Sequence, residues 1–212
     1  MLQYDSETIY EAENFRLAGL RHAVRGLVVI LVLAWGVAGA AAQESEEAEA
    51  EEATYEEGEI LDEVENFFGE TTEGLAEVVE KVFADQGRPN AYIVGEEISA
   101  AIVIGVRNGK GMLNRKAGKS RKVHWQGPSI GFDLGGNASK VFVLIYHLPA
   151  TDALFQRFPA VEGSIYVVAG VGANYHQSGD IILAPIRTGV GLRAGVNIGY
   201  MHYTRKKSWI PL

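Results

Sequence analysis

The chain has no cysteine among its 212 residues, and this absence removes several kinds of site at once. Disulfides, thiolate-bound metals and a cysteine nucleophile are excluded, as is a lipid anchor on an N-terminal cysteine of the mature chain. A chain without thiols is still suited to an oxidising compartment. With 47% hydrophobic and 22% charged residues, the sequence is long and apolar enough to bury one substantial core.

Each of two long regions of the sequence contains few charged residues of one sign. Residues 43–90 contain 17 acidic but only 2 basic side chains, and residues 91–212 contain 14 basic but only 6 acidic ones. The formal net charge of −8 therefore conceals a strongly acidic region followed by a basic one. Two oppositely charged regions in one chain require an electrostatic explanation.

The first 42 residues have the pattern of an export signal. Three arginines, Arg16, Arg21 and Arg25, precede an unbroken apolar run of 17 residues that ends in alanines. Small residues at that end are typical of a cleavage site, so we predict that residues 1–42 are a signal peptide and that the mature chain begins near Gln43, outside the cytoplasm. An uncleaved inner-membrane anchor is the competing interpretation, because the run is close to the minimum length of a spanning helix.

Residues 43–65 are rich in glutamate and low in complexity. Such a segment buries too little apolar surface to offset the entropy lost on ordering, so we predict that it is disordered. Between residues 66 and 87, apolar side chains recur at helical spacing and Gly87 with Pro89 provides a stop, which predicts one amphipathic helix. The polar face of this helix is acidic, so its apolar stripe is expected to pack on protein rather than on anionic lipid.

From Tyr92 onward the hydrophobic period becomes two residues, which is typical of strands. Alternation is clear over residues 98–106, 130–134 and 165–173, whereas residues 141–146 are apolar on both faces. One short helix is predicted within residues 150–159. Frequent strands with glycine-rich turns predict an all-β domain over residues 91–212, which we expect to be a small soluble β-barrel of short Gly-rich strands.

Three short motifs imitate functional fingerprints but lack the structural context that each requires. Residues 189–194 read G-x-G-x-x-A, yet alternation through residue 200 predicts a continuous strand rather than the turn and helix of a dinucleotide site. Gly118-Lys119-Ser120 ends like a phosphate-binding loop but lacks the first glycine and a following helix. Residues 127–131 match G-x-S-x-G, but their continuation as a strand argues against a hydrolase that uses Ser129. We therefore expect no cofactor and no enzymatic activity.

Residues 107–122 form a basic segment without any acidic residue, and this segment is our candidate ligand-binding site. Its members are Arg107, Lys110, Arg115, Lys116, Lys119, Arg121 and Lys122. Three interpretations are open: a solubilising hairpin, a patch for anionic head groups, and a dock for the acidic segment of the same chain. Nucleic acid is not an expected partner, because few aromatic residues interleave with these bases. None of the five histidines has a second ligand at metal-binding spacing.

Three stretches of the sequence resemble the envelope integrity protein A family, a group of exported proteins of Gram-negative bacteria also catalogued as a domain of unknown function. They are residues 124–133 (HWQGPSIGFD), 156–158 (QRF) and 185–200 (PIRTGVGLRAGVNIGY). The likeness extends over residues 96–212 and leaves out the acidic segment. It implies a small soluble barrel in the periplasm with a role in envelope integrity and without established catalytic residues. The Gly-Pro-Ser-x-Gly stretch is also similar, more weakly, to lipid-binding domains of the SYLF type.

Two functional hypotheses follow from the sequence and the resemblance. The first is a non-enzymatic protein that binds a lipid or an envelope glycoconjugate through the basic segment. The second is a structural protein that contacts envelope machinery, with residues 43–65 as a flexible arm. Because a barrel of about eight strands is filled by its own side chains, a ligand inside the barrel is not the default expectation.

Overall fold

The computed structural model describes residues 53–69, 73–133, 138–188 and 199–207, without the side chains of residues 99–104 and 129–133. These residues belong to one compact unit, Glu52–Leu212. The predicted signal peptide, the first ten residues of the acidic segment and most of the glycine-rich strand predicted at residues 189–199 lie outside the described residues.

Two helices precede an antiparallel β-sheet. The helices are α1 (Glu57–Phe68) and α2 (Glu73–Gln86), and a single 3₁₀ turn spans Thr151–Leu154. The strands are β1 (Ala91–Arg115), β2 (Arg121–Asp133), β3 (Ser139–Tyr146), β4 (Arg157–Pro159), β5 (Tyr166–Val168), β6 (Val171–Ala173), β7 (His176–Ser178), β8 (Ile181–Thr188) and β9 (Tyr200–Thr204). No helix within the described residues is long and apolar enough to cross a membrane.

Helix α1 begins inside the segment predicted to be disordered, so that prediction is wrong for residues 57–65. Ile60 and Val64, one turn apart, are both fully buried against the rest of the domain. A reciprocal capping box between Glu56 and Glu59 satisfies the first backbone N–H groups of the helix. Composition suggested disorder because glutamate dominates the segment, but two well-placed apolar residues are enough when a partner surface is present.

The single predicted helix is in fact two helices, because α1 ends at a glycine. Gly69 has a φ of +99°, a left-handed conformation that terminates helices, and its N–H donates to the carbonyl oxygen of Glu65. Helix α2 then carries the predicted apolar stripe, which is buried. Its buried members are Gly74, Leu75, Val78, Val79, Val82 and Phe83. Both helices therefore pack on the sheet, as expected for an amphipathic helix with an acidic outer face.

Strand pairing closes the sheet into a ring, as the predicted barrel requires. The hydrogen-bonded order is β4-β9-β2-β1-β3-β8-β6-β5, and β7 also pairs with β8. Ala160, just after β4, forms a bridge with His176 of β7, and the Val161 N–H donates to the Tyr175 carbonyl at 2.9 Å. The path from β4 through β9, β2, β1, β3, β8 and β7 thus returns to β4. The all-β barrel class is confirmed.

Strand β1 doubles back and supplies two passes of the barrel wall. Its first half pairs with β3 and its second half pairs with β2. Gly95 and Gly111 are 16 positions apart, about 50 Å in a straight strand, yet they are in contact: a Cβ on Gly95 would lie 2.9 Å from the Gly111 Cα and 2.5 Å from the Lys110 carbonyl oxygen. The backbones of the two halves touch because both positions are glycine. Counting β1 twice, eight passes formed by the described strands surround the interior.

Strand β3 separates two hydrophobic cores, which explains why both of its faces are apolar. Phe142, Leu144 and Tyr146 belong to the core between the sheet and the two helices. The alternating residues at 141, 143 and 145 point into the barrel, where they pack with side chains such as Trp125 and Phe158. The two-sided apolar pattern of residues 141–146 was predicted from the sequence and is confirmed.

Two local predictions need correction. Residues 165–173 form a hairpin, β5 and β6, rather than one strand, because Ala169 and Gly170 have φ values of +46° and +81° and make the turn. The turn lies over α2, where a Cβ on Gly74 would be 2.7 Å from the Cβ of Ala169. The helix predicted within residues 150–159 is only a 3₁₀ turn. Strand β2, by contrast, runs without a break through residues 127–131, as predicted for the G-x-S-x-G look-alike.

Gly109→Ala tests the packing of the barrel wall. A Cβ on Gly109 would lie 2.0 Å from the Cε2 of Trp125, so the indole must move. We expect the free energy of unfolding, measured by urea titration, to fall by about 1–3 kcal/mol. Gly58→Ala in α1 is the control, because nothing lies within 4 Å of its Cβ position. It should be neutral or raise stability by up to about 1 kcal/mol. Equal stability of Gly109→Ala and the native protein would contradict the indole's position.

Candidate functional site

A buried ionic cluster centred on Glu97 fills one part of the barrel interior. Arg187 of β8 donates from Nε to Oε1 of Glu97 at 3.1 Å and from Nη2 to Oε2 at 3.3 Å. Trp125 of β2 donates from Nε1 to Oε2 at 2.9 Å, and the Nε of Arg107 lies 3.3 Å from Oε1. The carboxylate thus ties together both halves of β1, β2 and β8.

The cluster continues through neutral side chains to the point where the ring closes. Arg187 donates from Nη1 to the Oδ1 of Asn174 at 3.3 Å, and the Nδ2 of Asn174 lies 2.9 Å from the Nε2 of His176. The Nδ1 of His176 lies 3.2 Å from the carbonyl oxygen of Phe158. An amide donor faces one ring nitrogen and a carbonyl acceptor faces the other, so the neutral tautomer with hydrogen on Nδ1 satisfies both contacts.

The charges in this cluster determine the protonation of its members. Burial alone raises the pKa of the Glu97 carboxyl, but the positive charges of Arg187 and Arg107 and the hydrogen bonds from Arg187 and Trp125 outweigh burial and hold that pKa below its usual range. Burial, and then the charge of Arg187, lower the pKa of His176 to about 4. A carboxylate held ionised by two guanidinium groups is a poor proton acceptor. The cluster is therefore built to hold the barrel together rather than to transfer protons.

A groove of about 390 Å³ lies on the outer wall of the barrel, where β1, β2 and β9 run side by side. Strand register places alternate residues on this wall: Lys110 is opposite His124, and His124 is opposite Thr204. Ile98 and Val106 form apolar parts of the lining and are 48% and 44% exposed. The full lining is Glu96, Ile98, Val106, Asn108, Gly109, Lys110, His124, Trp125, Gln126, Ala138, Thr204 and Lys207.

The structure divides the predicted basic segment, and three of its seven residues serve the fold. Arg107 points into the barrel beside Glu97 and is only 5% exposed, so it is not part of a surface patch. Arg115 donates to the carbonyl oxygens of residues 148 and 149 at 3.3 and 3.2 Å. Lys116 donates to Glu59 of α1 at 2.5 Å, with its ammonium group 4.9 Å from the ring centre of Tyr55. A single patch of seven bases is therefore incorrect.

The other four bases are exposed in two places. Lys110 lies in the groove, 3.8 Å from Glu96. Lys119, Arg121 and Lys122 lie at the turn between β1 and β2 and the start of β2, where a guanidinium nitrogen of Arg121 is 3.6 Å from a carboxylate oxygen of Asp152. One member of the segment, Lys116, pairs with the acidic segment of the same chain, which is one of the three interpretations that the sequence left open.

No three His, Asp or Glu side chains in the described ranges are placed to hold one metal ion. Gly118, Lys119 and Ser120 lie at the turn between two strands, so no helix N-terminus is available there for a phosphate. Among the described residues, the groove is a concave surface whose shape and chemistry suit a ligand.

Comparison with known proteins places the fold in a family. The sequence profile of envelope integrity protein A matches residues 53–212. The chain belongs to the envelope integrity protein A family. The chain is also similar to a solved structure from Brucella abortus, described as a β-barrel-like, uncharacterised protein. That match has 45% sequence identity and a TM-score of 0.70, and it covers 76% of this chain and 99% of the other. No curated protein matches the chain.

The match shows that the envelope integrity protein A domain begins earlier than the resemblance over residues 96–212 suggested. It starts at residue 53 and so includes the end of the acidic segment and both helices. This boundary agrees with the structure, because Tyr55 and Ile60 pack against the same core as β3. Residues 53–65 are therefore part of the domain rather than an appendage to it.

Sequence reasoning missed the residues that carry the ionic cluster in this envelope integrity protein A domain: Glu97, Asn174, His176 and Arg187. A usable signal was present only for Glu97, which is four positions from Ile93 and therefore on the same face of β1. The adjacent Glu96 lies on the other face of β1, with 55% of its side chain exposed. Arg187 and His176 required the pairing of β7 with β8, which composition does not reveal.

Proposed function

We propose that this member of the envelope integrity protein A family is a non-enzymatic periplasmic protein that supports the cell envelope by binding an anionic lipid or a lipid-derived glycoconjugate. The observation that carries the proposal is the groove on the outer wall of the barrel. It is lined mainly by apolar atoms, and Lys110 and Lys207 are among its lining residues. A concave apolar site with a few polar groups is the usual form of a small-molecule site.

The size of the groove supports a ligand larger than an ion or a few water molecules. Its volume of about 390 Å³ falls within the range of about 300–1,000 Å³ that is common for ligand pockets. Lys110 is exposed, with 71% of its side chain accessible, and its pairing with Glu96 at 3.8 Å is loose. Its ammonium group therefore remains accessible to a phosphate or carboxylate.

The geometry favours binding over catalysis. The buried carboxylate of Glu97 is engaged by two arginines and an indole N–H, so it is not available to a substrate. Strand β2 continues through residue 129 without the strand-to-helix turn that exposes the serine of a nucleophile elbow. The export pattern of residues 1–42 and the family's role in envelope integrity support a periplasmic location.

Binding to lipid vesicles tests the proposal. The purified protein is expected to bind vesicles that contain phosphatidylglycerol at low salt and to release them as salt is raised, because the Debye length shortens from about 30 Å at 0.01 M to about 3 Å at 1 M. Vesicles of phosphatidylcholine alone are the control and should bind more weakly. Absence of binding at every salt concentration, together with absence of lipid in mass spectra of the purified protein, would refute the proposal.

A structural protein that docks on other envelope proteins is the second candidate. The observation that favours it is a group of exposed apolar side chains at and near β5, an end strand of the sheet order: Val161, Ile165 and Val167 are 38%, 47% and 45% exposed. Photocrosslinking from position 167 in intact cells should then capture defined partners, and the same probe at the exposed Lys119 should not. Identical products from both positions would argue against this candidate.

A further inference from the structure

The groove between β1, β2 and β9 has the chemistry of an acyl-chain site. We infer that it takes one acyl chain of an anionic lipid, with the chain against Ile98 and Val106 and the head group beside Lys110 and Lys207. This inference rests on the proposed function and specifies it, because it excludes a bare glycan as the ligand of this site.

The apolar lining decides between a hydrocarbon chain and a sugar. Ile98 and Val106 lie on the outer wall of the barrel, where strand residues are usually polar, and each leaves nearly half of its side chain exposed. Two large aliphatic side chains in one concavity gain free energy when hydrocarbon covers them, whereas a hydroxylated glycan would leave its polar groups without partners against them. The occupant that this wall fits is therefore an alkyl chain.

The charged residues of the lining decide what terminates that chain. The lining residues include two lysines, Lys110 and Lys207, and one glutamate, Glu96. Because Lys110 is 71% exposed and lies as far as 3.8 Å from Glu96, its ammonium group is complementary to a phosphate or carboxylate on the ligand and not to a cationic head group. The volume of about 390 Å³ is near the lower end of the range for ligand pockets, which suits one chain rather than two.

Titration with cis-parinaric acid, a fluorescent single-chain carboxylate, measures occupancy of the groove directly. We expect saturable binding by the native protein and a loss of affinity of about tenfold or more in Val106→Asp, because the new carboxylate faces the hydrocarbon chain. Val167→Asp is the matched control: the same substitution, at a position that is 45% exposed and outside the groove, should keep native affinity. Circular dichroism and thermal unfolding establish that both variants are folded.

Head-group recognition is tested with Lys110→Gln against Lys122→Gln. Lys110 lines the groove and Lys122 is exposed outside it. We expect Lys110→Gln to weaken parinaric acid binding about two- to fivefold at low salt and less at high salt, and Lys122→Gln to change it little. Native affinity in Val106→Asp, or an equal loss in Val106→Asp and Val167→Asp, would overturn the acyl-chain site. If anionic vesicles still bind in that case, the proposed function stands and only its placement in the groove fails.

Discussion

Replacement of Glu97 by glutamine is expected to lower the free energy of unfolding by about 3–5 kcal/mol, because it leaves two buried arginines without their carboxylate. Glu97 is 5% exposed and receives hydrogen bonds from Arg187 and Trp125. Glutamine preserves the volume of the side chain, so the loss of stability comes from removal of the negative charge and not from a cavity. Urea denaturation followed by circular dichroism at neutral pH measures the change.

The neighbouring residue supplies a matched control for Glu97. Glu96 faces outward, with 55% of its side chain exposed, and pairs only loosely with Lys110 at 3.8 Å. Glu96→Gln should change stability by less than about 0.5 kcal/mol. The combination of Glu97→Gln with Arg187→Gln should cost less than the sum of the single changes, since the two residues share hydrogen bonds. Additive losses would mean that Glu97 and Arg187 do not interact as the structure shows.

Acidification is expected to destabilise the protein through His176. The pKa of this histidine is about 4 in the folded protein, against 6.5 in the unfolded chain, so the unfolded state binds a proton that the folded state does not. Stability is therefore fully present above about pH 7 and is lost as the pH falls from 6.5 to 4. The total loss is about 3 kcal/mol, of which about 2 kcal/mol falls between pH 7 and pH 5.

His176→Gln isolates this contribution, because glutamine provides one donor and one acceptor but does not titrate. We expect the variant to lose some stability at pH 7 and to show a dependence between pH 7 and pH 5 that is smaller by about 2 kcal/mol. The charged groups around His176 are Arg187, Arg107 and Glu97, and they are the same in both proteins. Parallel profiles of native protein and His176→Gln would disprove the buried neutral histidine.

Prediction from the sequence succeeded where an apolar pattern has only one structural solution. Residues 141–146, apolar on both faces, suit a strand that is covered on both sides, and β3 is such a strand. The prediction of disorder failed because it was based on the average composition of a whole segment. The acidic residues 57–65 include Ile60 and Val64 at helical spacing, and the barrel provides the surface that stabilises α1.

The basic segment shows that composition also fails to predict the environment of single residues. Arg107 and Lys110 are three positions apart in one strand and therefore lie on opposite faces of it: the first is inside the barrel and the second is in the groove. Counting positive charges along the sequence treats them as equivalent. Their environments differ because one face of β1 is enclosed by the closed sheet and the other is not.

The sequence by itself determined the class of fold, because alternating apolar residues with glycine-rich turns bury their surface in no other way than as a closed or sandwiched sheet. The tertiary structure alone decided which charges are buried, which are paired and which line the groove. The physical reason is that a strand changes face at every residue, so the environment of a side chain depends on register and ring closure. Both of these are set by contacts between residues far apart in the chain, such as the bridge of Ala160 with His176.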